Sequence, residues 1–198
     1  MKSLQLKTVQ KCFVLSLATI LLGTASCHQA NQSQEESTKE TKIEAPSTTI
    51  QEAAFLGNVE AIKGHMAAKT DLNQKDAYGS TPLHIAATFG KTEVAVLLIE
   101  GGANLNERSA DGSTPLHTAA FFGRTDIVKA LLKNKADVTV RNSYNATALE
   151  SVSAPFADMK PIYDQLSKDL GPFGLKLDYQ KLEEARPVIA ELIASYSK

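Results

Sequence analysis

The sequence has little cysteine, no tryptophan and almost no net charge, and these scarcities exclude several classes of protein. Two cysteines in 198 residues are too few for a small fold held together by disulfide bonds. Lysine and arginine number 21 against 22 acidic residues, so no excess of positive charge indicates a nucleic-acid partner. With 43% apolar residues the chain can nevertheless bury a core, and its length suits one domain of ordinary size.

The N-terminal segment has the pattern of a signal peptide. Lys2, Lys7 and Lys11 form a basic start, and residues 12–22 follow without a charge. An uncharged run of this length is typical of a signal-peptide core, whereas a transmembrane helix needs about 20 apolar residues. We therefore predict that residues 1–26 are a cleaved signal peptide.

Small residues follow this run and lead directly to Cys27. The segment resembles the lipobox of bacterial lipoproteins, in which the cysteine is acylated and becomes the new N-terminus, although Thr24 stands where that family most often has Leu. The resemblance implies a lipid anchor at Cys27, and two or three acyl chains hold a protein on a membrane durably. The alternative is an ordinary cleaved signal peptide that happens to precede a cysteine.

The processed chain would have no thiol for a disulfide bond or for catalysis, because Cys12 would leave with the signal peptide and Cys27 would carry lipid. Loss of the signal lysines would leave it mildly acidic, which argues against nucleic acid and against electrostatic attraction to anionic lipid. His28 and Gln29 also lack the Asp that retains many enterobacterial lipoproteins at the inner membrane. We expect a bacterial cell-envelope protein, anchored in the outer membrane and facing the periplasm.

Residues 27–47 have the composition of a tether. Gln, Ser, Thr, Glu and Lys dominate, and Ile43 is the only large apolar side chain. Such a segment cannot bury enough apolar surface to offset the entropy of ordering its backbone. We predict that it is disordered and separates the folded part from the membrane.

Internal repetition indicates the fold. The tetrapeptide Thr-Pro-Leu-His begins at Thr81 and again at Thr114, 33 residues later, and residues 78–110 align without a gap on residues 111–143. The same frame extends backwards over residues 48–77 and forwards over residues 144–168. Self-similarity at a fixed period is the signature of a solenoid, whose repeats bury their apolar faces only against neighbouring repeats.

The repeated motif resembles that of ankyrin repeats. The motif residues are Thr81, Pro82, Leu83, His84, Thr114, Pro115, Leu116 and His117. The threonines can cap a helix whose first position tolerates proline, and the glycines at 90 and 123 can end it in a left-handed conformation. The resemblance implies an all-α solenoid of about four repeats, each with two helices and a β-turn finger, over residues 48–77, 78–110, 111–143 and 144–168.

The C-terminal part departs from the motif. Ala148 replaces the proline of the fourth repeat, and Pro155 and Pro161 are expected to shorten its helices. Apolar residues at helical spacing near the C-terminus predict that residues 169–198 form a helical cap over the last repeat. Pro187 is expected to kink the cap or split it in two.

No residue pattern indicates catalysis. His84 and His117 occupy equivalent places in adjacent repeats and could be taken for a metal pair, but the ankyrin resemblance implies that they hydrogen-bond within and between turns. A zinc site would need two or three more ligands, and no suitable cysteine is present. The sequence also contains no glycine-rich phosphate loop and no nucleophile motif. We therefore expect no metal, no cofactor and no enzymatic activity.

The resemblance implies that a protein partner binds the concave face, which the turns and first helices of successive repeats form together. The residues expected there are Phe55, Leu56, Ala77, Tyr78, Ser80, Thr88, Phe89, Ala110, Asp111, Ser113, Phe121 and Phe122. An aromatic row of Phe55, Phe89 and Phe122 is either a binding hot spot or packing between helices, and the sequence leaves both open. The alternative function is that of a monomeric structural spacer or chaperone-like surface without a dedicated partner.

Overall fold

The computed structural model describes residues 44–197. The predicted signal peptide, the lipidation site at Cys27 and most of the predicted tether at 27–47 lie outside the described residues. Glu44 and Ala45 at the end of that tether segment are exposed, but Pro46 lies against α2, a helix at Val59–Ala67, where a Cβ added to Gly64 would come within 2.8 Å of its ring. The folded part therefore begins slightly before the boundary at residue 47.

The described residues contain nine α-helices, one 3-10 turn and no strand. The helices are α1 (Ile50–Leu56), α2 (Val59–Ala67), α3 (Pro82–Phe89), α4 (Thr92–Glu100), α5 (Pro115–Phe121), α6 (Thr125–Lys133), α7 (Ala148–Ser153), α8 (Phe156–Leu170) and α9 (Tyr179–Ser195), with the 3-10 turn at Gly171–Phe173.

The helices stack in two rows. The inner row is α1, α3, α5 and α7, in which each helix packs on the next, and the outer row runs from α2 through α4 and α6 to α9. Small alanine pairs on the inner helices are completely buried, which lets neighbouring helices approach closely, and buried leucines such as Leu98 and Leu131 fix the outer helices. The predicted all-α repeat solenoid is confirmed.

Local sequence determines where the inner helices begin and end. A threonine side chain caps α3, α5 and α7 by accepting a hydrogen bond from the backbone N–H three residues along, and these threonines are Thr81, Thr114 and Thr147. Proline at the first position of α3 and α5 costs no helical hydrogen bond, since that N–H has no partner inside the helix. Gly90, with φ of 66°, ends α3 in the left-handed region.

The two motif histidines connect each repeat to the next. His84 Nδ1 lies 2.8 Å from Thr81 Oγ1, and His84 Nε2 lies 3.0 Å from the carbonyl oxygen of Ser113 in the following repeat. His117 contacts the carbonyl oxygen of Ala146 in the same way, also at 3.0 Å. Because a carbonyl oxygen can only accept, Nε2 carries the hydrogen in both rings. Burial lowers the pKa of both histidines, so they are neutral at pH 7.

The fourth repeat differs from its prediction. α9 packs on α6 and on α7, which is the place that α2, α4 and α6 take in the preceding repeats. The predicted fourth repeat at 144–168 therefore lacks its outer helix, and the predicted cap at 169–198 supplies it. The reason is burial: α8 buries only Tyr163, whereas α9 buries a continuous stripe of Leu182, Arg186, Ile189 and Ile193.

Two prolines do not interrupt their helices: Pro161 does not shorten α8, and Pro187 does not split α9. Pro161 lies inside α8, which has 15 residues, and Pro187 lies inside α9, which runs for 17 residues without a break. Both prolines face solvent. On that side of a helix the carbonyl that loses its N–H partner is hydrated, so the helix continues with the loss of one hydrogen bond.

Candidate functional site

Three turns project from the inner row as fingers. Each turn is closed by a backbone hydrogen bond between its ends, from Asp76 to Ser80, from Ser109 to Ser113 and from Asn142 to Ala146, all within 2.9–3.0 Å. The side-chain oxygens of Asp76 and Asn142 also accept backbone N–H groups of their own turns. In the finger between them, the Asp111 side chain accepts from the Ser109 hydroxyl and from the Ser113 N–H. These bonds within the turns hold the fingers in place, so the fingers present a preformed surface.

Adjacent fingers are also joined to each other. The N–H of Ala110 donates to the carbonyl oxygen of Tyr78 at 3.0 Å, and the N–H of Ser143 donates to that of Asp111 at 2.9 Å. The approach is so close at Gly79, whose φ is 68°, that an added Cβ would lie 2.9 Å from the Ala110 nitrogen. Glycine is thus required here both by the backbone conformation and by the neighbouring finger.

A column of basic residues, which the sequence analysis missed, runs along the fingers at the repeat period. Lys75 donates to the carbonyl oxygen of Arg108 at 3.0 Å, and Arg108 donates to that of Arg141 at 2.8 Å. Arg141 in turn pairs with Glu150 at 2.7 Å. The three residues are spaced 33 apart, so comparison of the repeats position by position contained the signal for this column.

The fingers and inner helices form one side of a groove, and α8 forms the other. The groove has a volume of about 680 Å³. Side chains from α8 that line it are Met159, Ile162 and Leu166, spaced as one face of a helix. This wall of the groove, formed by α8, was not predicted from the sequence, although the spacing of its apolar residues was a signal for it.

Two thirds of the predicted concave-face residues line this groove. They are Tyr78, Ser80, Thr88, Ala110, Asp111, Ser113, Phe121 and Phe122. The remaining four, Phe55, Leu56, Ala77 and Phe89, do not line it. The groove is therefore formed by the second, third and fourth repeats, and the first repeat lies beyond its end.

The predicted aromatic row is not continuous. The rings of Phe55 and Phe89 meet edge to face at 4.7 Å, both partly buried. Phe122 is only 8% exposed and packs edge to face on Phe121 at 5.1 Å. Phe121 in turn contacts Tyr163 of α8 at 4.6 Å. The phenylalanines thus belong to two separate clusters, and Phe122 is a packing residue.

The wall α8 is fastened at Tyr163. This side chain is fully buried, and its hydroxyl donates to the carbonyl oxygen of Phe121 at 2.7 Å. The same hydroxyl accepts from Arg186 of α9 at 2.9 Å, and Arg186 also donates to the carbonyl oxygens of Ala154 at 2.7 Å and Ser151 at 3.3 Å. A single buried guanidinium therefore joins the C-terminal end of α7, the wall and α9.

The charges inside the groove are negative. Burial opposes ionisation of Asp111, but hydrogen bonds from Ser109 and Ser113 outweigh it and lower the pKa of Asp111 below its ordinary value. The hydrogen bond from Arg141 lowers the pKa of Glu150. Both carboxylates line the groove and are ionised at neutral pH, and no lysine or arginine lines it.

The described residues offer neither a metal site nor a membrane span. Nowhere in residues 44–197 do three or more His, Cys, Asp or Glu side chains cluster as a metal would require. Within the same residues, each helix is either too short or too polar to cross a bilayer.

Comparison with known proteins agrees with the architecture. The family model for ankyrin repeats matches three copies over residues 50–142, and no curated protein matches the chain. Ankyrin repeats generally mediate protein–protein interaction, and proteins built from them are typically interaction modules without catalytic activity. The match ends at residue 142, where the finger of the divergent fourth repeat begins. The family model thus identifies residues 50–142 as ankyrin repeats, and the described residues form an all-α repeat solenoid.

Proposed function

We propose that the protein binds a protein partner in the groove between its fingers and α8 while a lipid at Cys27 anchors it in the bacterial outer membrane, facing the periplasm. The observation that carries the binding part is the exposure of large side chains at the groove. Tyr78 and Tyr144, on the fingers of the second and fourth repeats, are each 77% exposed, and Ile162 on the wall is 47% exposed. Aromatic side chains held on a rigid surface supply much of the energy of protein interfaces.

The anchoring part rests on the sequence. The basic start, the short uncharged core and the small residues before Cys27 support processing as a lipoprotein, and residues 27–47 supply a polar linker to the first repeat. A partner could then be engaged at a distance from the membrane surface.

Site-specific photo-crosslinking in the native host tests the binding part. Tyr78 or Tyr144 is replaced by p-benzoylphenylalanine, and the captured proteins are identified by mass spectrometry. Tyr196 is the matched control, because it is also exposed, at 53%, but follows the outer helix α9 and does not line the groove. We expect the same protein at both finger positions and not at Tyr196. Equal capture at all three positions would indicate a spacer without a dedicated partner and would refute the proposal.

Metabolic labelling with an alkyne fatty acid tests the anchoring part. We expect label in the wild-type protein and in Cys12→Ala, but none in Cys27→Ala, since only Cys27 follows the lipobox-like residues. Equal labelling of Cys27→Ala and the wild type would show that the lipid is not attached at Cys27, and would refute the proposed anchor.

A further inference from the structure

We infer that the groove takes one extended peptide segment of the partner, with a basic side chain between apolar ones, and not the surface of a folded domain. This inference rests on the proposed function, since it concerns the same groove. The residues that carry it are the wall side chains of α8, the two finger tyrosines and the carboxylate between them.

The shape of the groove favours a narrow ligand. An open concave face can receive a folded domain, but here α8 lies across the groove from the fingers, and Met159, Ile162 and Leu166 line the same cavity as Tyr78 and Tyr144. Because the groove is bounded on both sides, only a narrow segment can reach Thr118 and Phe121 on its floor. A β-strand or an extended loop is narrow enough to enter between two walls, whereas a folded domain presents a broad surface.

The length of the groove sets the length of the ligand. The groove extends from Tyr78 in the second repeat to Tyr144 in the fourth, which is two repeat spacings. Packed helices lie about 8–10 Å apart, so the groove is about 16–20 Å long. An extended chain spans about 3.3–3.6 Å per residue, so five or six residues fill it.

The negative charge of the groove favours a basic side chain in the ligand. Tyr78, Asp111 and Tyr144 occupy the same position in three successive fingers, which places the ionised Asp111 between the two exposed rings. Glu150 adds a second carboxylate, although Arg141 pairs with it. Since no lysine or arginine lines the groove, a lysine or arginine of the ligand is favoured opposite Asp111, and its apolar neighbours contact the rings and the wall.

Panning a phage-displayed random heptapeptide library against the immobilised full chain tests the inference. We expect enrichment of peptides with one lysine or arginine flanked by apolar residues. Synthetic versions of the enriched peptides are then titrated by fluorescence anisotropy. The Asp111→Asn variant should weaken binding of the basic peptides while leaving that of the same peptides with norleucine in place of the basic residue nearly unchanged.

A second pair of variants tests the position of the wall. Ile162→Arg places a positive charge in the groove and should weaken the basic peptides about tenfold or more. Gln165→Arg is the matched control, because it puts the same side chain on an exposed position of α8 that does not line the groove. Its affinity should equal that of the wild type. Circular dichroism should show that both variants keep the helical content of the wild type.

Several results would overturn the inference. These are a library without enrichment, enrichment of acidic peptides, or equal affinity of Ile162→Arg and Gln165→Arg. If crosslinking from Tyr78 captures one partner but no short segment of that partner binds alone, the proposed function stands and the peptide inference fails. If crosslinking captures no partner at the fingers, the proposed function fails, and selected peptides would still report separately on the groove.

Discussion

Replacing Arg186 with Met removes the guanidinium that joins α7, α8 and α9. The change keeps a long, largely apolar side chain in place, so it tests the hydrogen bonds more than the packing. Arg186 is only 3% exposed, and its donors reach the Tyr163 hydroxyl and the carbonyl oxygens of Ala154 and Ser151. These carbonyls lie at and just beyond the C-terminal end of α7, where helix continuation does not supply donors.

The cost can be estimated from these contacts. A hydrogen bond to a charged group contributes about 1.5–3 kcal/mol, and a buried acceptor left without a donor costs about 1–3 kcal/mol. The bond to Ala154 at 2.7 Å is short and the one to Ser151 at 3.3 Å is long, so we count them as one strong and one weak. Loss of the positive charge near the end of α7 adds a smaller term. We expect a loss of about 3–5 kcal/mol, which is a large part of the total stability of an ordinary domain.

Urea unfolding followed by far-ultraviolet circular dichroism measures this loss. The control is Lys181→Met, which removes a positive charge from the same helix at a side chain that is 82% exposed and should leave the midpoint unchanged. Arg186→Lys should recover only part of the stability, because an ammonium cannot reach all three oxygens from one position. Equal midpoints for Arg186→Met and Lys181→Met would refute the role assigned to the guanidinium.

Three further predictions concern the repeats themselves. Burial lowers the pKa of His84 and His117, so the unfolded chain binds more protons; stability is therefore fully present above the unfolded pKa of 6.5 and falls as the pH drops towards the folded values. Urea midpoints between about pH 7.5 and pH 5 should show this fall, and a double His→Gln variant should flatten it; a steeper dependence in the variant would contradict the assignment. At Gly79 an added Cβ would lie 2.9 Å from the next finger, whereas at Gly102 it would have no atom within 4 Å. Gly79→Ala should therefore lower the urea midpoint more than Gly102→Ala. Phe122→Ala should cost about 3–5 kcal/mol of unfolding free energy, and a change confined to binding would show that this ring is a contact and not core.

The central repeats could be predicted from the sequence because their structure is locally encoded. Threonine, proline and glycine specify where α3 and α5 begin and end, and each does so within a few residues. The same residues recur 33 positions later, so the position of His84 in one repeat predicts that of His117 in the next. Eight of the twelve residues expected on the concave face line the groove for the same reason.

The fourth repeat could not be predicted in this way, because its outer helix is determined by packing at long range. A periodicity argument places the outer helix directly after α7, where α8 follows in the sequence. The outer position is taken by the helix with the longer buried stripe, and Arg186 of that helix reaches carbonyl oxygens at the end of α7. The spacing of residues in the sequence shows neither of these contacts. Because α8 was expected to be the outer helix, its place as the wall of the groove was not predicted.

The separation of α7 from α9 by residues 154–178 also affects when the protein can fold. A chain that enters its folding compartment N-terminus first can complete its first three repeats one after another, since the two helices of each are adjacent in sequence. The fourth repeat must wait for α9, and the buried face of α6 stays open to solvent until then. Arrival of α9 therefore closes the core and brings Arg186 to the wall in the same step, so the solenoid and the groove are completed together.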